Sequence, residues 1–174
     1  MEIRPVRPED DRYAISRVYE ESWKQAYRGI VPQPYLDGIP RGRWVPFIDT
    51  PGMDSLVMVV EGEIVGTSSC CPSRLARMSG WGEIVSLYLL PQVQGMGYGK
   101  ALLRAAVDAL GAMGLRDVFL WVLEDNLRAR RFYEHMGFFA SGEHLDDVIG
   151  GAALREVQYR LCPDGAGDPG KARL

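Results

Sequence analysis

The sequence predicts a single α/β domain built on a mixed sheet, and three observations carry that expectation. Apolar runs of strand length and helical stripes follow one another in the order β-α-(α)-β-β-β-α-β-α-β-β. One strand, Glu83 to Leu90, passes through a glycine-rich turn straight into a helix. The 174 residues, 47% of them hydrophobic, suffice to bury one sizeable core without calling for a second.

Taken in order, Ile3 to Val6 reads as a short strand ended by Pro8. Glu9, Asp10 and Asp11 then place carboxylates in the first turn of a helix, where its dipole favours them. Ile15, Val18, Tyr19, Ser22, Trp23, Ala26 and Tyr27 continue a helical stripe that Gly29 stops. Pro32, Pro34, Gly38, Pro40 and Gly42 make the next stretch irregular, with short helices at Tyr35 to Ile39 and near Trp44. Leu56 to Val60 and Ile64 to Cys70 form a hairpin about Glu61-Gly62-Glu63, and Arg74 to Gly80 is a loop. After the strand Glu83 to Leu90, the helix Gly97 to Met113 shows Leu102, Ala106, Leu110 and Leu103, Val107 at i, i+4 spacing. Gly114 caps its end.

Val118 to Leu123 is the next strand. Asn126 to Met136 is a helix with Ala129, Phe132, Tyr133 and Met136 on one face, closed by Gly137. Phe138 to Gly142 and Arg155 to Leu161 read as the last two strands, joined by a loop containing Gly150-Gly151. From Pro163 the composition shifts to Pro, Gly, Asp and Ala. The domain is therefore expected over residues 1–162 and a flexible tail over 163–174.

Composition narrows the function. A net charge of −3 argues against nucleic acid, which needs a basic face. The N-terminus is charged from Glu2 with no apolar leader, and no apolar run approaches the ~20 residues that span a bilayer. The three cysteines, with Cys70 and Cys71 adjacent, form no disulfide framework. The expectation is a cytoplasmic protein that uses neither a metal nor a membrane.

The glycine-rich turn carries the chemistry. Glycines at 95, 97 and 99 permit positive φ and close approach of a ligand, and the helix that follows offers free N–H groups to a phosphate. Two familiar phosphate loops fail against the letters. A P-loop would need a hydroxyl at Ala101 and a glycine at Gln94, and a dinucleotide fingerprint would need a glycine at Lys100. The spacing Q-x-x-G-x-G at Gln94, Gly97 and Gly99 does fit. With Leu87-Tyr88-Leu89 and Pro91 upstream, and Asn126, Ala129, Phe132-Tyr133 and Gly137-Phe138 downstream, it resembles the coenzyme A site of the GNAT N-acetyltransferases.

That resemblance implies a mixed, mostly antiparallel sheet of about seven strands with helices on both faces. It implies acetyl-CoA as co-substrate and a primary amine that attacks it directly in a ternary complex, without an enzyme nucleophile. Gln94, Gly95, Met96, Gly97, Tyr98, Gly99 and Lys100 would wrap the pyrophosphate, Lys100 adding a charge or remaining a solvated first-turn lysine. Leu87, Tyr88 and Leu89 would pair with the pantetheine arm, with the Leu89 N–H as oxyanion donor. Tyr133 would protonate the departing thiolate, or else only pack beside Phe132. Asn126 would bond the cofactor arm, cap its helix, or do both.

The base is expected at Glu83, against the alternative of a plain carboxylate at a strand start; the next strand has Trp121 where one branch of the family keeps a glutamate. Trp23 and Tyr27 would line the acceptor pocket, or else be core contacts at i, i+4. Glu20, Glu21 and Asp37 could attract a cationic amine. The acceptor implied is a small-molecule amine, with a peptide or protein amine as the alternative and a non-catalytic acyl-CoA sensor as a third reading. Family members are often dimers, so a homodimer is a further option.

Overall fold

In the computed structural model, which describes residues 1–163, the chain opens with β1 (Glu2–Pro5), α1 (Arg12–Ala26), α2 (Gln33–Asp37) and α3 (Val45–Ile48). It continues through β2 (Asp54–Val60), β3 (Glu63–Pro72), β4 (Gly82–Leu89) and α4 (Tyr98–Ala112). It closes with β5 (Val118–Leu123), α5 (Leu127–His135), β6 (Phe139–Ile149) and β7 (Ala152–Leu161). The expected tail lies, from residue 164 on, outside the described residues.

One seven-stranded sheet runs in the order β1-β2-β3-β4-β5-β7-β6. Only β4 and β5 pair in parallel, so the sheet is mixed and mostly antiparallel. Two of its hairpins close on two-residue turns, Glu61-Gly62 and Gly150-Gly151, with all four residues at positive φ. Turns of that hand match the twist of the strands they join.

Helices cover both faces. On one side α4 buries Leu102, Leu103, Ala106 and Leu110 against β3 and β4, joined by Tyr133 of α5 and Phe138. Each leucine so buried contributes about 1.5–3 kcal/mol. The α4 C-terminus closes as read: the Gly114 N–H donates to Gly111 O and the Leu115 N–H to Leu110 O, with Gly114 at φ 83. On the other side α1 packs Ile15 and Tyr19 against Val57 and Trp44.

A further cluster of Val31, Leu36, Ile39 and Leu123 joins the segment after α1 to the sheet. The tip of the β6–β7 hairpin rests on it. A Cβ on Gly150 would lie 2.7 Å from Tyr35 Cβ, so the turn and α2 touch directly.

Two expectations change. The carboxylates before α1 are not in its first turn. Asp11 is the N-cap and accepts from the Tyr13 N–H at 2.8 Å, and Asp10 lies in the preceding loop. The last two strands are also longer than the apolar pattern suggests. β6 runs to Ile149 through Glu143, Asp146 and Asp147, held by its ladder to β7 while its side chains stay exposed.

Asp10 ties β1 to α1. It accepts two hydrogen bonds of 2.7 Å from the Arg4 guanidinium and one from the Arg7 N–H, which hold its carboxyl down to about 2. A carboxyl lowered on folding stabilises the protein above its unfolded value near ~3.9, and that contribution is lost as pH falls through about 2. Asp10→Asn is therefore expected to lower the melting temperature by a constant margin above about pH 5. The margin should close between about pH 4 and pH 2; thermal melts with an unchanged gap across that range would contradict the assignment.

Candidate active site

The site begins where two strands part. β4 and β5 share the register pairs Gly82↔Val118, Glu83↔Phe119 and Ile84↔Leu120, and no pair beyond them. A bulge at Val85, which has no partner on β3, lies at the divergence. It resets the side-chain alternation, so Glu83, Ser86 and Tyr88 share one face although the first and last stand an odd number of positions apart.

Past the bulge, the Leu90 N–H donates to Val65 O of β3 at 2.8 Å. Alternation along the strand therefore turns the Leu87 and Leu89 N–H groups to the opposite edge, the one β5 has left. The strand end is braced: Leu89 O accepts from Ser22 Oγ at 2.8 Å and from Gln94 Nε2 at 3.1 Å. The Gln94 side chain thus folds back on β4 and positions the turn it opens.

That turn runs from Gln94 to Gly97, with Gly95 and Gly97 both at φ 82. Gly97 is the N-cap of α4 and has no side chain to satisfy the helix end. The N–H groups of Tyr98, Gly99 and Lys100 precede the first intrahelical bond, Ala101 N–H to Gly97 O, and are left for a ligand. Gly95, Gly97, Gly99 and Lys100 line a cleft there. Met96 and Tyr98 do not: Met96 is 60% exposed and Tyr98 packs on the main core. Two positive φ angles beside free helix amides fit a pyrophosphate-bearing group.

Across the cleft stands α5. Asn126 caps it, its Oδ1 accepting from the Ala129 N–H at 3.2 Å, and also lines the cleft. Tyr133 is buried among Phe132, Phe138 and Tyr159, and its hydroxyl has no hydrogen-bond partner among the described residues. Burial raises its pKa, so the phenol stays protonated.

The cleft encloses about 610 Å³ and is closed on one side by aromatic rings from the N-terminal segment. Trp23 Nε1 donates to the Tyr88 hydroxyl at 3.1 Å, the Tyr27 and Tyr88 hydroxyls share a hydrogen bond of 3.2 Å, and Trp23 meets Tyr27 edge-on at 4.8 Å. Burial pushes the Tyr27 phenol up to about 12 and raises Tyr88 as well. The sequence offered Tyr88 only as strand backbone; its side chain is the hub of this wall.

Two carboxylates line the cleft. Glu83 is 2% exposed and held by three hydrogen bonds from Arg74: Nη2 at 2.6 Å, Nε at 3.1 Å and the backbone N–H at 3.1 Å. Glu156 on β7 is the other, and sequence reasoning missed it. The three acidic residues expected to attract a cation lie elsewhere. Glu20 bonds Ser16 and the Gly42 N–H, Glu21 pairs with Arg17, and Asp37 accepts from Gln33. They stabilise the α1–α3 region and do not reach the cleft.

A sheet opened at a parallel pair, a glycine turn into a helix and a tyrosine across the gap together make up the site. The profile of the acetyltransferase (GNAT) family matches residues 15–138, and this chain belongs to that family, whose co-substrate is acetyl-CoA. An uncharacterized N-acetyltransferase from Bacillus subtilis is 32% identical over 129 residues, covering 71% of this chain and 72% of its own length. One from Archaeoglobus fulgidus is 33% identical over 138 residues, covering 76% and 89%. A mycothiol acetyltransferase of Frankia casuarinae is 34% identical over 110 residues, 59% of this chain but 31% of that longer protein.

Among solved structures, the PaiA N-acetyltransferase of Thermoplasma acidophilum, in complex with coenzyme A, shares the fold. Its TM-score is 0.68 at 20% identity, covering 91% of this chain and 98% of that one. No helix among the described residues is long and apolar enough to cross a membrane.

Removing one partner of the Arg74–Glu83 pair leaves a buried charge, which costs more than the pair contributes. Arg74→Ala is expected to lose about 2 kcal/mol in urea unfolding, with Arg74→Lys between it and wild type because lysine cannot fork. Adding Glu83→Gln to Arg74→Ala should restore about half the loss by removing the stranded charge. No recovery in the double variant would contradict this role.

Proposed function

We propose that this N-acetyltransferase moves the acetyl group of acetyl-CoA to the primary amine of a small molecule by direct attack within the cleft. The observation that carries the reading is the aromatic wall of Trp23, Tyr27 and Tyr88 facing the open edge of β4. It bounds one side of a cleft whose whole volume of about 610 Å³ must take both the cofactor arm and the acceptor, which leaves room for a small acceptor beside backbone N–H groups that β5 does not pair. The similarity to a relative named for acetylating mycothiol supports a small acceptor.

In this reading the Gly95–Lys100 amides hold the pyrophosphate and Lys100 adds a charge. The Leu87 and Leu89 N–H groups take the cofactor arm and the thioester oxygen, the latter in a water-poor site where a fixed donor acts most strongly. Asn126 caps α5 and borders the arm. Tyr133 protonates the departing thiolate. The burial that raises its phenol raises a neighbouring thiolate in the same sense, so donor and acceptor stay matched. Glu83, which accepts three hydrogen bonds from Arg74, serves in this reading as the ion-pair partner that fixes the loop after β3 rather than as the base.

Coenzyme A release, followed by thiol detection with acetyl-CoA and a panel of amines, tests the reading. Tyr133→Phe is expected to lower kcat at least about tenfold while leaving the KM for acetyl-CoA within about twofold. Gly97→Ala forces a side chain to φ 82, a strain of about 1 kcal/mol, and should weaken coenzyme A binding about fivefold in calorimetry. Cofactor binding without turnover of any amine would overturn the small-molecule reading.

A further inference from the structure

We propose that Glu156 receives the acceptor: its carboxylate binds the amine as the ammonium and takes the proton that must leave before nitrogen can attack. This deepens the N-acetyltransferase reading above and rests on it. It names the acceptor class as cationic primary amines carried on an apolar or aromatic body.

Strand register puts Glu156 in position. β5 pairs with β7 through Trp121↔Gln158, Val122↔Val157 and Leu123↔Glu156, so Glu156 shares the face of Trp121 and Leu123. That face meets the N-terminal segment, since Leu123 packs with Val31, Leu36 and Ile39. Glu156 therefore enters the cleft from the strand beyond the parting, and lines it together with Tyr27 and Tyr133.

Its chemical state distinguishes it from Glu83. Glu83 is held by Arg74, whereas the Glu156 carboxylate has no hydrogen bond or ion pair among the described residues. A half-buried carboxylate without a partner beside aromatic rings suits a ligand cation, because ring faces accept the charge that the carboxylate balances.

The charged and titratable groups about it are few. Asp147 reaches it from β6 and raises its pKa, Arg74 at the loop after β3 lowers it, Glu83 lies behind Arg74, and the Tyr27 phenol faces it from the end of α1. Burial is the largest influence and also raises its pKa, which makes the carboxylate a better proton acceptor than an exposed one.

The proton count closes. Of the two protons the ammonium must lose, the first passes to Glu156 and on to solvent. The freed nitrogen lone pair forms the C–N bond to the acetyl carbon, and the electrons of the C–S bond leave with sulfur. Sulfur takes a proton from Tyr133, and the second nitrogen proton, released as the amide forms, restores the phenol.

The test compares wild type with Glu156→Gln and Glu156→Asp, using acetyl-CoA and a panel of aromatic alkylamines, phenethylamine first, from about pH 6 to pH 10. Glu156→Gln should lose about thirtyfold in kcat/KM for the amine at pH 7, with the KM for acetyl-CoA unchanged. The defect should shrink as pH approaches the amine's own value near ~10, where the neutral form needs no base. Glu156→Asp should recover part of the neutral-pH activity, which a merely structural role would not produce. Wild-type turnover with no defect in Glu156→Gln, or a defect equal at every pH, overturns the Glu156 assignment alone. A wild type that acetylates other small amines but none of this panel overturns this inference alone, and one that binds acetyl-CoA yet acetylates no amine overturns the small-molecule reading and this inference with it.

Discussion

Strands β4 and β5 run parallel for three register pairs and then separate, leaving backbone N–H and C=O groups of a central strand without a neighbour. An unpaired polar edge inside a domain is costly unless something satisfies it. At Leu89 the chain partly does so itself, through Ser22 and the Gln94 amide on the carbonyl. The N–H side is left open. The glycine turn, the α4 amides and Tyr133 are arranged about that opening, and each depends on the strands staying apart.

What keeps them apart comes largely from the N-terminal third. Tyr19 of α1 bonds the hydroxyls of Ser69 and Ser86, and Trp23 and Tyr27 bond the Tyr88 hydroxyl, so β4 is pinned from its outer face just past the bulge. The segment after α1 packs on Leu123 at the far end of β5. Trp23, Tyr27 and Tyr88 also line one side of the cleft, so its shape and the width of the opening are linked through a few contacts.

Much of this was legible in the letters, for identifiable reasons. The turn from β4 into α4 needs glycine for its backbone angles, and a helix with apolar residues at i, i+4 must lie on a sheet; both requirements show as spacing. The start of β5, the caps of α4 and α5 and the hairpin after β2 followed from similarly local rules.

The misses depend on contacts between elements rather than within one. β6 is a strand because β7 supplies its ladder, and Glu143 to Asp147 carry no apolar alternation to announce it. Glu156, Gln158 and Arg160 alternate with Val157, Tyr159 and Leu161, a pattern that reads as a solvent face. Glu156 alone of these lines the cleft, and it does so because a segment more than a hundred residues earlier folds over that end of the strand. The Arg74–Glu83 fork likewise bridges a loop and a strand in a way spacing cannot reveal. Asp10 left its expected helix turn because the Arg4 guanidinium offered better partners.

Amide hydrogen exchange at Leu87 and Leu89, followed by NMR with and without coenzyme A, addresses the opened edge most directly. The Leu90 amide, bonded to Val65, serves as the internal reference. Leu87 and Leu89 should exchange much faster than Leu90 in the free protein and become protected when coenzyme A binds. Coenzyme A that binds without protecting them, or amides already protected in its absence, would contradict the account of β4 as the strand a cofactor completes.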